Sequence, residues 1–441
     1  MNMLKNIKGT QDYLPEEQVI RNKIKKVLEE TFEIYGFKPI ETPIINYQSL
    51  MAFKYGGGEE ILKEIYTLSD QGDRNLALRY DLTIPFAKII GMNPKVRLPF
   101  KRYEIGKVFR DGPIKKGRLR EFTQCDVDVV GIESVSIEAD LMALAVDVFE
   151  KLNLNIKIEF NNRKLLVGIL EYLGVKDEDI SGVILSVDKI KKIGIEGIKE
   201  ELLQKNIDTS TLEKIEELFN DSQITNLDYI KNKFNNDQVL QGVNELSSVM
   251  HYLNAIGISN YIEFNPFLAR GLNIYTGSIY EIFLQEGTIT SSIGSGGRYD
   301  EIIGKFINEE NKFYTVGLSF GLDVIYTALL DKYKEELKKQ TFLDLFILPI
   351  GNVDFSLKLA KKIRNNYSLK VDIELKERKL KKSLDYVNKE NIPYVLFLGD
   401  SEIEKGIVRL KDMESGEEKE ILLKEIDEGK LLKYIKRYEE R

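Results

Sequence analysis

Residues 118–128 read RLREFTQCDVD, and in a strand their side chains alternate between two faces. One face then carries Arg118, Arg120, Phe122, Gln124, Asp126 and Asp128. The other carries Leu119, Glu121, Thr123, Cys125 and Val127. Guanidinium groups at one end suit phosphate, which they grip as bidentate forks. The amide and carboxylates at the other end suit a ligand bearing an ammonium or N–H groups. A solvated outer face is the competing reading, although Phe122 and Gln124 fit it poorly. Arg110 precedes the loop DGPIKKG and so faces Arg118, either as a second phosphate ligand or as a loop partner for Asp111. Near the C-terminus, Lys376, Arg378, Lys379, Lys381 and Lys382 crowd the entry to a helix. Such a cluster is either solvent face or a patch that tracks a phosphate backbone.

Composition narrows the chemistry. The 441 residues include one cysteine, Cys125, and one histidine, His251. That leaves no intramolecular disulfide, no cysteine-cluster or His-rich metal site, and little room for Ser-His-Asp or Cys-His catalysis. His251 lies on a helical pattern and reads as structural; Cys125 falls on the apolar side of its strand and reads as core. The net charge of −7 gives no bulk support for nucleic-acid binding, though a local basic surface can work inside an acidic protein. With 43% hydrophobic and 31% charged residues, packed cores are expected. No apolar run reaches the length of a membrane span or a signal peptide, so a soluble cytoplasmic protein without membrane contact is expected. The glycine-rich stretches match neither a phosphate-binding P-loop nor a dinucleotide fingerprint.

The elements that must position these groups follow from periodicity. Residues 16–35 carry apolar positions at helical spacing, ended at Gly36. A short proline-bearing strand is predicted over 40–45, at an edge or an interface. Strands are predicted from 75, with a short helix after Pro85, and then as a hairpin over 102–110 and 118–130. A helix is predicted over 135–152 and a mostly helical stretch over 163–255. Strands resume at 262–267 and 275–283, followed by glycine-rich turns at 294–297 and 316–321. After a charged linker at 333–341, strand and helix alternate: 343–348, 355–364, 370–373, 380–388 and 394–398. That pattern predicts a small α/β domain with a parallel-type sheet.

Several segments go beyond generic reasoning. LRYDLTIPFAK (78–88), FRDGPIKKGRLREFTQCDVDVVG (109–131), LARGLNIYTGSIYE (268–281) and GSGGRYDEIIG (294–304) occur in this order. With GTQDYLPEE (9–17) and GDSEIEKGIVRLKDMESGEE (399–418), they resemble the histidyl-tRNA synthetases, class II aminoacyl-tRNA synthetases, over essentially the whole chain. The resemblance implies an α+β catalytic core, an antiparallel sheet flanked by helices, in residues 1–162 and 256–332. It also implies a helical insertion domain at 163–255 and an α/β anticodon-binding domain at 341–441. The implied partners are histidine, ATP with Mg²⁺, tRNA(His) and a second copy of the chain, paired near Pro43. The reaction implied has two steps, histidyl-adenylate formation and transfer to the tRNA's terminal ribose.

The resemblance also implies roles. Asp81, Thr83 and Gln124 hold the ammonium of histidine, and Asp128 and Tyr275 its imidazole. Arg110 and Arg270 flank the α-phosphate as the catalytic pair, Arg270 also lying against histidine. Arg118 or Arg120 meets the outer phosphates of ATP, and the basic cluster at 376–382 meets tRNA. No protein-held metal is implied. Three departures from the pattern stand out. Asn273 and Ile274 stand where the family usually has Asp and Tyr, Val324 replaces the third signature's arginine, and Gly112 replaces a common acidic residue. The rival implication is a catalytically silent paralogue, the regulatory subunit of ATP phosphoribosyltransferase in histidine biosynthesis. The full α/β tail favours the synthetase. A class II enzyme for another amino acid fits less well, because RGL followed by YTG is not the pattern of those enzymes.

Overall fold

The structure, a computed structural model, describes residues 4–53, 62–270, 274–307, 313–337, 341–376 and 378–435. Gly271, Leu272 and Asn273, and the end of the charged stretch at 338–340, lie outside the described residues. The chain forms two compact units, Met1–Lys332 and Tyr333–Arg441.

The first unit is built on an eight-stranded sheet. Its order is Lys38–Pro39, Phe100–Phe109, Glu121–Val130, Thr315–Gly321, Gly294–Arg298, Ser278–Leu284, Ile156–Asn162 and Ile262–Phe264. All neighbours run antiparallel except the outermost pair at each edge. One face of the central strands is apolar and covered by two helices. Pro15–Ile34 contributes the stripe Ile20, Ile24, Leu28 and Phe32. Ser136–Lys151 is buried over most of its length. Phe32 and Phe149 both pack on Phe320, with ring centroids 5.7 and 5.8 Å away. Phe320 pairs with Cys125, which is fully buried on this side as expected. With that face closed, the opposite face of the same strands is left to form a cleft.

The hairpin and the helical stretch follow the sequence expectation. Helices run from Arg163–Leu173 to Asp237–Ile256, and the chain leaves the sheet at Ile156–Asn162 and re-enters at its parallel neighbour Ile262–Phe264. The Ile156–Asn162 strand itself escaped sequence reading. His251 is solvent-exposed on its helix, so it is not a core residue.

Three expectations need correction. Residues 40–44 are not a strand. Thr42 donates its N–H and hydroxyl to Glu104, and its carbonyl accepts from Arg79 Nη1 at 2.7 Å, so side chains replace a backbone ladder. The glycine-rich segments are not turns either: Gly294–Arg298 and Thr315–Gly321 are central strands. The glycines are needed because those strands crowd their surroundings. A Cβ on Gly296 would lie 2.1 Å from the Gly317 carbonyl oxygen. Lastly, the charged stretch after residue 332 continues a helix, Leu322–Leu337.

The second unit carries a five-stranded sheet in the order Val371–Ile373, Leu345–Ile350, Tyr394–Gly399, Ile407–Asp412 and Glu418–Leu422. The first three are parallel, as expected, and the last two are antiparallel additions. Alternation along Leu345–Ile350 sends Leu345 and Ile347 into one apolar layer, under helix Val353–Tyr367. Phe346 and Leu348 enter the other layer with Val387 of helix Leu380–Lys389. Among the described residues no helix is long and apolar enough to cross a membrane.

Candidate active site

Cross-strand register lines up polar side chains across five strands of the first sheet. Glu104 pairs with Asp126, Asp126 with Ser319, Ser319 with Ser295, and Ser295 with Glu281. The neighbouring row runs Arg102, Asp128, Gly317, Gly297 and Ile279. Both ends of the first row are neutralised. Glu104 takes Arg79 at 2.8 Å together with Thr42, and Glu281 takes Arg270 in a short hydrogen-bonded pair. Between them stand Asp126 and two serines, and Gly317 and Gly297 in the neighbouring row leave room above the floor.

Above this floor lies a cavity of about 320 Å³, within the range of ligand sites. It is lined by Arg110, Arg118, Phe122, Gln124, Arg270 and Ser319, with Val324 and Gly117 at one wall. Gln124 donates from Nε2 to the Ser319 hydroxyl at 2.9 Å, while its Oε1 is buried without a partner. Arg110 donates from Nε to the Tyr80 carbonyl at 3.1 Å. Its guanidinium lies 4.3 Å from the Tyr80 ring centre and 5.1 Å from that of Phe122. Aromatic contact holds a planar cation without consuming its charge. Arg270 is fixed by Glu281 and stands 5.8 Å from the Tyr275 ring centre. The Tyr275 ring lies on Gly297, where a Cβ would come within 2.8 Å of it.

The arginine face predicted for residues 118–128 holds only in part, because the strand starts at Glu121. Arg118 and Arg120 therefore sit in the turn and are not governed by strand alternation. Arg118 still reaches the cavity. Arg120 ion-pairs with Asp111 at 3.0 Å and packs its stem against Gly9, so the loop partner of Asp111 is Arg120 and not Arg110. Gly112 leaves its place to Glu64, whose carboxylate would lie 2.7 Å from a Cβ there. Beside Val324, Asp323 is buried and tied to Arg21 at 2.6 Å, to the Tyr13 hydroxyl and to the Thr123 N–H. Ile274, the other described departure, is a buried core residue.

Asp81 and Thr83 lie at the start of helix Thr83–Met92, earlier than the sequence suggested, with Pro85 tolerated in its first turn. Asp81 is buried, and its Oδ1 accepts the Ile84 N–H at 3.0 Å. Asp128 is buried as well. Its carboxylate meets Arg102 Nη2 at 2.6 Å and accepts a short hydrogen bond from the Tyr299 hydroxyl. Arg102 also donates to the Leu82 carbonyl at 3.1 Å. Sequence reading missed Arg102, Tyr299, Ser319 and Ser295. Opposite charges at alternate positions of one strand, Arg102 and Glu104, were a usable signal for the first.

Asp126 sits between these groups. Burial pushes its carboxyl up to about 7; Arg102 pulls the other way and Asp128 adds to the rise. Burial likewise raises the Tyr275 phenol, against the pull of Arg270.

In the second unit, Arg378 ion-pairs with the buried Glu374 at 2.9 Å and stacks 4.5 Å from the Tyr386 ring centre. Lys376, Lys379, Lys381 and Lys382 are exposed around the start of helix Leu380–Lys389. The structure thus gathers the predicted residues Arg110, Arg118, Gln124 and Arg270 around one cavity. It sets Arg120 aside, and it places the basic cluster in a separate unit.

Two family models match the chain: histidyl-tRNA synthetase over residues 9–325 and an anticodon binding domain over residues 344–437. A histidine–tRNA ligase 1 of Bacillus cereus is 56% identical over 432 residues, covering 98% of each chain. A histidine–tRNA ligase of Clostridium tetani is 35% identical and covers 95% of each. The crystal structure of histidyl-tRNA synthetase from Nostoc sp. PCC 7120 superposes with a TM-score of 0.78 at 29% identity, covering 97% of this chain and 99% of that one. A Bacillus halodurans structure described as an ATP phosphoribosyltransferase regulatory subunit/histidyl-tRNA synthetase shares the fold, with a TM-score of 0.73 at 19% identity over 90% of this chain and 98% of that one. That likeness extends to fold alone, whereas the sequence relatives are ligases over their full length. The chain belongs to the histidyl-tRNA synthetase family, the class II enzymes that attach histidine to its tRNA at the expense of ATP.

Proposed function

We propose that the cavity above the central strands is where histidine and ATP meet, and that its residues divide the work by their order along the sheet. The observation that carries this reading is Arg270 beside Arg110 and Gln124 in one cavity, with Glu281 fixing Arg270 from behind. A carboxylate oxygen of histidine attacks the α-phosphorus of ATP. The bond to the bridging oxygen breaks, pyrophosphate leaves, and histidyl-adenylate remains. Arg110 and Arg270 hold the α-phosphate as its charge grows, and because neighbours pre-orient both, little reorganisation is needed. Arg118 takes the outer phosphates in place of the arginine that Val324 replaces. Arg120, held by Asp111, supports the loop. Asp81, Thr83 and Gln124 take the ammonium, and Asp128 and Tyr275 stand at the imidazole end. In the second step a terminal ribose hydroxyl of tRNA attacks the adenylate's carbonyl carbon and AMP departs.

The catalytic core is residues 1–162 and 256–332, interrupted by the insertion at 163–255. Residues 341–441 meet tRNA(His) through the lysines around 376–382. Among the described residues no group of three or more acidic, histidine or cysteine side chains could hold a metal ion. Magnesium enters with ATP, on its phosphates, and no step is assigned to it. A homodimer is part of the same reading. Ile44, Ile45 and Tyr47 expose 41%, 51% and 58% of their surface beside Pro43, which the resemblance sets at the interface. The test is ATP–pyrophosphate exchange with each amino acid in turn, run on protein of measured mass. Histidine alone should support exchange, by a particle of twice the chain mass. No exchange with histidine in folded protein would overturn the reading, and a monomer active at full rate would remove the dimer.

A further inference from the structure

We propose that Asp126 is a specificity-determining residue that contacts the imidazole ring of histidine from the floor of the cavity. This rests on the reading that the cavity takes histidine with its ammonium toward Gln124.

Each of the other carboxylates in these two rows is ion-paired. Glu104 is held by Arg79 and Thr42, Glu281 by Arg270, and Asp128 by Arg102 and Tyr299. Asp126 is 3% exposed, and its Oδ1 has no hydrogen-bond partner. Buried acceptors are seldom left unmade, so an unpaired one beside a ligand cavity points to a donor that arrives with the ligand. Its place in the fold says which donor. Asp126 follows Gln124 by two residues on the same strand face, a step of about 7 Å away from the arginines. It pairs across the sheet with Ser319, which lines the cavity and binds Gln124. The floor next to it is Gly317, Gly297 and Ser295, small enough to admit a flat ring.

An amino acid whose carboxylate lies at Arg270 and whose ammonium lies at Gln124 sends its side chain along this direction, toward Asp126 and Tyr275. Tyr275 lies near enough to Asp126 for the carboxylate to add to the rise of its phenol. The charged and titratable groups facing Asp126 are Arg102 and Glu104 on one neighbouring strand, Asp128 on its own, Asp81, Tyr275 and Tyr299. Ser319 faces it as a hydroxyl from the other neighbouring strand. A carboxylate here accepts a ring N–H, and an apolar side chain arriving instead would leave it unpaired.

The experiment is pyrophosphate exchange by the full-length protein. Asp126→Asn and Asp126→Ala should each raise the histidine KM about tenfold or more, with the ATP KM unchanged within about twofold. The decisive comparison uses histidine methylated at one or the other ring nitrogen, and imidazole-lactate, as substrates or competitive inhibitors. For one of the two methylated compounds, which cannot donate at that nitrogen, the loss caused by Asp126→Ala should vanish. Equal losses for histidine and both methylated compounds would mean that Asp126 acts only through the fold. Loss of the effect with imidazole-lactate would move Asp126 to the ammonium. Either result overturns the proposal. If neither variant folds, a crystal structure of the wild-type protein with histidine decides: a ring nitrogen within about 3.2 Å of Asp126 supports the contact, and a ring nitrogen elsewhere ends it. Wild-type protein that fails to exchange with histidine would instead sink the reading of the cavity itself.

Discussion

The two sheets of this protein solve different problems with the same strand geometry. In the first, Arg102, Glu104, Asp126 and Asp128 are all 4% exposed or less, directly on the central strands. In the second, the strands Leu345–Ile350 and Tyr394–Gly399 are apolar on both faces, and the charge gathers at exposed positions such as Lys376, Lys379, Lys381 and Lys382. Burying charge is costly unless it is paired. The first sheet offsets that cost by pairing most of its ions with each other, while Gln124 Oε1 and Asp126 Oδ1 have no hydrogen-bond partner. The second keeps most of its charge in water, with Glu374 buried against Arg378. A fixed, desolvated charge acts strongly over one or two contacts, whereas a solvated cluster acts weakly over many.

The sharpest way to break this comparison is to separate the units. A fragment of residues 1–332 keeps the whole cavity lining. It should retain pyrophosphate exchange while tRNA charging drops below detection in an aminoacylation assay. Unchanged charging would show that the second unit contributes nothing to tRNA. Next in size is Arg270→Ala. Removing a fixed charge from the transition-state phosphate should slow adenylate formation by about 10²–10³-fold, with a much smaller change in histidine affinity. Single-turnover kinetics and equilibrium binding separate the two effects, and a variant that keeps its rate but loses affinity would contradict the role.

Arg118→Ala should be milder. Loss of one charge-assisted hydrogen bond costs about 1.5–3 kcal/mol, read as an ATP KM raised by about 10- to 150-fold. Val324→Arg, at the adjoining wall, should leave the ATP KM unchanged or lower it. A harmless Arg118→Ala together with a crippling Val324→Arg would mean that the outer phosphates lie elsewhere. The smallest effect belongs to the solvated cluster. Lys381→Ala with Lys382→Ala should raise the tRNA KM a few-fold and flatten its salt dependence, the slope falling by about one for each phosphate that is no longer neutralised. Pyrophosphate exchange should not change at all.

Much of this protein was legible from the chain alone. Period-2 alternation placed Gln124, Asp126 and Asp128 on one face, because a strand's side-chain spacing is set by its backbone and not by its neighbours. Period-3.6 spacing likewise marked the helices that cover the opposite face. The alternation of strand and helix after residue 341 fixed the parallel part of the second sheet for the same local reason. Tertiary structure alone decided which charges are free. Arg118 and Arg120 are two residues apart in one turn, yet one lines the cavity and the other is taken by Asp111. Asp126 and Asp128 share a strand face, yet Arg102 and Tyr299 close around the second and leave an oxygen of the first open. Tyr299 reaches Asp128 from 171 residues away in sequence. Glycine-rich segments at 294–298 and 315–321 look like turns until the strands beside them are known, because glycine serves a turn and a crowded strand equally well. Local preferences depend on the residues themselves and can be read in order. Pairing, burial and crowding depend on what the folded chain brings alongside.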